Sequence, residues 1–241
     1  MLHTMRPARI LLEMVLCFLA FFLPGYLSQG GISARGAIGS SMMLQSIIVG
    51  VPQFLLLAYI ASLSGDGAMA PWGFVPFNAA DILRVVLLLL ACFAIFAPFA
   101  FLILTLPSNV TKYLAGGFRW RLASPSQIPL AVFFGLVAGY REEFFFRSYM
   151  LKRLDQLGFP VVLSVAVSTL LFCAGHAYEG PLGLATAAAL GVLFAAVYLR
   201  RRSLHVIAIA HGLYNATVLC LSLLHSSPLS NATEIGKFLP R

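Results

Sequence analysis

The chain has 241 residues, of which 60% are apolar and only 10% charged, with a mean hydropathy of +0.92. Long runs of Leu, Val, Ala and Phe exceed what a single soluble core can cover, which excludes an ordinary soluble domain and indicates a polytopic membrane protein. The formal charge of +8 reads as topology signals beside apolar spans, so the expected surrounding is the lipid bilayer and no nucleic-acid partner is expected.

Seven segments approach the roughly 17 to 25 residues a helix needs to cross hydrocarbon: about 10–28, 41–63, 82–106, 128–150, 160–176, 182–200 and 204–224. The fifth is the shortest. The expected fold is all-α, a polytopic membrane bundle of about seven to eight transmembrane helices with a polar intramembrane cavity. No internal repeat or soluble domain is visible. The chain divides into N-terminal transmembrane helices (1–127), a core of motif-bearing helices (128–225) and a short polar tail (226–241).

At the N-terminus, a basic start and an apolar stretch raise a cleaved signal peptide, but Glu13 interrupts the run and no small-x-small site follows, so a retained first span is expected. The segment "APWGFVPFN" (Ala70 to Asn78) has the aromatic and proline content of a turn at headgroup level. Cys17, Cys92, Cys173 and Cys220 all fall in apolar spans without a C-x-x-C pair and read as buried free thiols. Arg6, Arg9, Lys152, Arg153 and Arg200 to Arg202 lie on one side by the positive-inside rule, while Lys112, Arg119 and Arg121 fall on the other.

The stretch "GYREEFFFRSYM" (Gly139 to Met150) places charges inside an apolar run, where each costs about 2.5 to 3.5 kcal/mol even on the lenient insertion scale. From the rise of a helix, Glu142 lies about 15 Å from Lys152, His211 and Asn215 about 12 and 18 Å from Ser203, and His176 about 24 Å from Pro160. These depths bring them toward the middle of a core about 30 Å thick, His176 least well. Glu143 and Arg147, Phe172 and His176, and His211 and Asn215 are each four residues apart, so each pair shares a helical face that should turn inward.

The adjacent glutamates differ by about 100° around the axis and cannot play one role. Glu143 has Arg147 at i+4, an ion pair that supports the second carboxylate. Glu142 has no same-face cation on its helix and suits a carboxylate that accepts a proton from water. His176 and His211 can donate, accept or ligate, and Asn215 can donate to an oxyanion without charge. His3, His205 and His225 read as packing or span-end residues, Arg141 as reaching toward headgroups or a cavity mouth, and Glu179 as a loop carboxylate.

"EEFFFR" (Glu142 to Arg147), "FCAGH" (Phe172 to His176) and "HGLYN" (His211 to Asn215) resemble, in order, the E-E-x-x-x-R, F-x-x-x-H and H-x-x-x-N signatures of the CPBP family, the CAAX-protease and bacteriocin-processing (ABI) membrane proteins. The resemblance spans residues 128–225. It implies an intramembrane endopeptidase, of glutamic type or a metalloendopeptidase, in a multi-pass protein of the bacterial inner membrane. Glu142 and His176 would activate water, Glu143 and Arg147 would support the glutamate site, and His211 with Asn215 would stabilise the oxyanion. Phe172 would be a packing residue. The implied partner is a membrane-associated protein or peptide substrate.

The cofactor is none or a single zinc ion. Glu142, His176 and His211 are the donor types of a His₂Glu zinc set. The H-E-x-x-H pattern is absent, and Asn215 is a better oxyanion donor than zinc ligand, which favours a metal-free mechanism. Two other classes use the same residues: a proton-coupled carrier, against which stands the lack of a repeat or paired broken helices, and a non-catalytic adaptor or immunity protein retaining the site.

Overall fold

The computed structural model describes residues 6–27, 39–64, 67–114 and 122–223. His3, Arg119, Arg121, His225 and the polar tail lie outside the described residues. The helices are α1 (Pro7–Phe21), α2 (Leu23–Leu27), α3 (Ser40–Ser62), α4 (Ala79–Thr105), α5 (Ser108–Leu114), α6 (Ile128–Glu143), α7 (Met150–Gln156), α8 (Val161–Ala174), α9 (Gly180–Arg201) and α10 (Leu204–Leu221). The protein is an all-α membrane bundle, with no strand among the described residues. Four helical segments are long and apolar enough to cross a bilayer: Ser40–Ser62, Ala79–Leu102, Ala177–Arg201 and Leu204–Leu221. Their outer faces carry exposed Ile48, Leu55, Leu90 and Val192, the side chains that lipid would solvate.

Local sequence sets several helix ends. Pro7 occupies the first turn of α1, where its missing N–H is not needed. α4 starts from a capping box: the Ala80 N–H donates to Asn78 Oδ1 (3.0 Å) and the Asn78 N–H to Asp81 Oδ2 (3.0 Å). Pro52 and Pro98 sit inside α3 and α4, which membrane helices accommodate when neighbours satisfy the freed backbone groups.

The tightest packing joins α6 to α10. A Cβ placed on Gly135 would lie 2.4 Å from the Gly212 carbonyl oxygen, and one on Gly139 2.4 Å from the Ala208 carbonyl oxygen. Gly135 and Gly139 on one helix thus face Ala208, Gly212 and Ala216 on the other, the small-residue contact by which membrane helices bring their backbones together. This contact matters for function, because it fixes the helix that ends in the two glutamates against the helix that carries His211.

Between α6 and α7 the chain does not continue as a regular α-helix. Residues Phe144–Tyr149 form a π-helical segment, and all six are buried. Wider turns of this kind inside α-helices recur at functional sites. Rings from several elements enclose it: Phe22 contacts Phe145 and Phe146, Phe54 contacts Phe144, Trp72 stacks on Tyr149 and Phe172 contacts Phe146.

Three local expectations change. α8 ends at Ala174, so His176 lies past the helix, in a turn, rather than on its face. Trp72 faces inward rather than a headgroup layer, at 1% exposure, where Ser148 Oγ donates to the Trp72 carbonyl oxygen and the Leu204 N–H donates to that of Gly73 (2.8 Å). Arg153 is a core residue rather than a cytoplasmic flank: it is fully buried, ion-paired to Glu13 and bonded to Ser64 Oγ (2.7 Å). Glu13, which interrupts the first apolar run, is what ties α1 to α7, and Tyr149 Oη also donates to it (2.7 Å).

Candidate active site

Glu143 lies at the centre of the bundle with no solvent exposure. Its two oxygens have separate partners: Oε1 accepts from His211 Nδ1 at 2.7 Å, and Oε2 lies 3.3 Å from Arg147 Nε. Arg147 is equally buried, and among the described residues its guanidinium makes no hydrogen bond within normal geometry. Aromatic faces surround it instead: Phe172 at 4.1 Å from the guanidinium carbon to the ring centroid, Phe146 at 5.7 Å and Phe194 at 5.9 Å. Cation–π contact and one carboxylate together compensate a charge that the core could not otherwise hold. Gly191 leaves the needed room, since a Cβ there would lie 3.2 Å from Arg147 Nη2.

Glu142 sits differently. Its side chain retains 15% exposure, and its Oε2 lies 3.9 Å from His211 Nε2. No same-face cation lies on its helix, but the adjacent Arg141 folds back and places Nη2 3.1 Å from Glu142 Oε1. Neighbouring side chains of a helix do not normally face each other. Arg141 is steered by contacts outside the helix: its Nη1 donates to Gln53 Oε1 (3.4 Å) and its guanidinium carbon lies 5.3 Å from the Phe22 ring centroid. Arg141 is thus a site residue that motif spacing does not reveal. The only sequence signal for it is adjacency in "REE".

The hydrogen bonds assign the imidazole tautomers. His176 Nδ1 lies 2.9 Å from the Phe172 carbonyl oxygen, which can only accept, so Nδ1 is the donor in this bond and Nε2 is the nitrogen left for other partners. His211 Nδ1 likewise donates to the Glu143 carboxylate, leaving Nε2 toward Glu142. A partner on one nitrogen fixes the role of the other. Phe172 is more than filler, because its ring lies 4.5 Å from His176, 6.0 Å from His211 and against Arg147. His176 and His211 both lie close enough to Glu142 to act on its charge.

Asn215 stands one turn beyond His211 on α10, half-buried, and among the described residues no hydrogen bond engages its carboxamide. Tyr26 of α2 closes one side: its hydroxyl donates to the Leu171 carbonyl oxygen (2.6 Å) and its ring lies over Gly175, where an added Cβ would approach Tyr26 Cε1 to 2.8 Å. Among the described residues no three His, Cys, Asp or Glu side chains are gathered closely enough to hold a metal ion.

Of the other polar residues, His205 pairs with Tyr140 Oη (2.9 Å) and packs edge-on against Phe74, in keeping with a packing residue. Glu179 lies in the turn after His176, where its N–H donates to the His176 carbonyl oxygen (3.0 Å). The four cysteines are unpaired.

Residues 124–217 match a family model described as type II CAAX prenyl endopeptidase, Rce1-like. This is a CAAX-protease family. The match includes every residue of the three motifs and shows the resemblance they carry. No curated protein and no solved structure matches the chain.

Proposed function

We propose that the protein is an intramembrane endopeptidase of the CAAX-protease type, hydrolysing a peptide bond of a membrane-associated protein or peptide with water activated by Glu142 and His176. One observation carries the reading: two adjacent glutamates occupy opposite environments. Glu143 is sealed in the core and committed to His211 and Arg147, whereas Glu142 is at the accessible edge, facing the free Nε2 of His211.

In this reading a water molecule gives one proton to Glu142 while His176 Nε2 accepts its second hydrogen and orients it. The hydroxide so generated attacks the scissile carbonyl carbon. The developing oxyanion takes hydrogen bonds from the Asn215 carboxamide and from His211 Nε2. His211 can donate there only when both its nitrogens are protonated, and the Glu143 carboxylate at Nδ1 is the counter-ion for that form. Collapse of the tetrahedral intermediate breaks the C–N bond, and Glu142 returns its proton to the leaving amine. Glu143 and Arg147 hold His211 and do not touch substrate. The apolar setting and the family match support a substrate that reaches the site from the bilayer, and the proposed location is the inner membrane of a bacterial cell.

The test is cleavage of candidate membrane peptides by purified protein in detergent. Glu142→Gln keeps size but removes the proton acceptor, and cleavage should fall by about 10² to 10⁴. Cleavage at the wild-type rate would remove Glu142 as the base. Flux without hydrolysis in proteoliposomes would support the carrier class instead.

A further inference from the structure

A second polar feature lies away from the glutamates, in a cleft between α7, α8 and α9 lined by Lys152, Asp155, Phe159, Val161, Ser164, Arg202 and neighbouring apolar side chains. The N-terminus of α8 opens into it. Pro160 provides no side-chain cap, so the first N–H groups of this 14-residue helix are left to other partners. Beside them Ser164 is only 4% exposed, and among the described residues its Oγ has no hydrogen-bond partner. A buried hydroxyl without a partner costs free energy unless something absent from the chain satisfies it.

Two basic residues, Lys152 and Arg202, line the same cleft as Ser164. Lys152 Nζ donates to the Pro71 carbonyl oxygen (3.3 Å) and lies 4.0 Å from the Trp72 ring centroid, with further donor capacity beyond that bond. Arg202 caps α9 at φ 54°, the one non-glycine residue with positive φ among the described residues. Glycine is the usual occupant of that position. Arg202 lines the cleft, with its guanidinium carbon 5.8 Å from the ring centroid of Tyr198. A helix N-terminus, a buried hydroxyl and two basic residues on one cleft are the ingredients of an anion site.

We propose that this cleft binds the phosphodiester of an anionic membrane lipid. Three features favour a lipid over free phosphate. The rim is apolar and exposed, with Val161 at 56%, Val162 at 82% and Leu163 at 46% exposure, the surface along which acyl chains would lie. Basic pockets between membrane helices are where lipid head groups are held. Asp155 also lines the cleft, and its carboxylate opposes a second negative charge, which selects the singly charged diester over inorganic phosphate.

The test is native mass spectrometry and thermal unfolding of the full chain in neutral detergent, titrated with phosphatidylglycerol, phosphatidylcholine or inorganic phosphate. Phosphatidylglycerol should be retained and raise the unfolding temperature, with phosphatidylcholine at least tenfold weaker and phosphate inert. Lys152→Gln with Arg202→Gln should weaken phosphatidylglycerol binding at least tenfold, whereas Arg200→Gln with Arg201→Gln, which removes equal charge outside the cleft, should change it less than threefold. Ser164→Ala should abolish most of the lipid-induced thermal shift without lowering the unfolding temperature of the lipid-free protein. Equal loss from both arginine and lysine pairs, equal retention of the two lipids, or a phosphate-induced shift matching that of the lipid would each overturn the proposal.

Discussion

The sharpest test of the buried half of the site is to remove the charge of Glu143 and then that of Arg147. Both side chains have no exposure, and their charged groups are 3.3 Å apart. Glu143→Gln keeps an oxygen for His211 Nδ1 but leaves Arg147 as an uncompensated cation held only by Phe172, Phe146 and Phe194. Breaking a buried pair in this way costs about 3 to 5 kcal/mol. For a chain of this length each kcal/mol moves the unfolding temperature by about 2 to 4 °C, so a drop of roughly 6 to 20 °C is expected. Replacing Arg147 by Met in the same chain removes the orphan charge and keeps contact with the three rings, which accept a thioether well. The double variant should therefore recover at least half of the lost unfolding temperature while remaining inactive. Thermal unfolding in detergent measures both steps. If Glu143→Gln unfolds within 2 °C of wild type, or if the double variant is less stable than the single, the pair is not what holds this site.

Three further outcomes follow from other parts of the molecule. Strong chelators should leave peptide cleavage intact, since water activation is assigned to Glu142 and His176; loss of activity restored by added zinc would replace that mechanism with metal-bound water. Gly139→Leu must push a side chain into the Ala208 backbone, against which even a Cβ would stand at 2.4 Å, and overpacking of this kind should lower stability by about 1 to 3 kcal/mol and activity with it. Glu13→Gln should destabilise the protein by about 3 to 5 kcal/mol because it removes the carboxylate that pairs with the buried Arg153, and an unchanged unfolding temperature would show that α1 is held by its apolar face alone.

The helical character of the bundle and four of the seven expected spans were legible because bilayer thickness converts directly into segment length. The polar pairs were legible for a similar reason, since charges in apolar runs must face inward. Arg153 and Trp72 were misread on the same principles. A basic residue past a span and a tryptophan in a Pro-rich turn carry the same local signal whether they meet headgroups or a partner distant in sequence. Only the tertiary contacts to Glu13, at a separation of 140 residues, and to Ser148, at 76, decide between them. The placement of His176 and the contact of Arg141 were missed for a different reason. Spacing rules assume a continuous α-helix, whereas α8 stops before His176 and Arg141 is turned by Gln53 and Phe22 from other elements.

The π-helical segment explains why the two glutamates diverge so far. Six consecutive buried residues, Phe144–Tyr149, require neighbours on every side, and rings from α2's flank, α3, the Trp72 turn and α8 supply them. The helix bearing the motif is therefore the axis of the bundle rather than one of its walls. A carboxylate entering that axis has no route to water and must be neutralised from within, which is the condition Glu143 meets through His211 and Arg147. One residue earlier the enclosure is incomplete, and Glu142 keeps both an accessible edge and a cationic neighbour in Arg141. Adjacent positions thus receive opposite environments from packing alone. A carboxylate that must exchange protons with water belongs at the first of them, and one that must hold an imidazole in place belongs at the second.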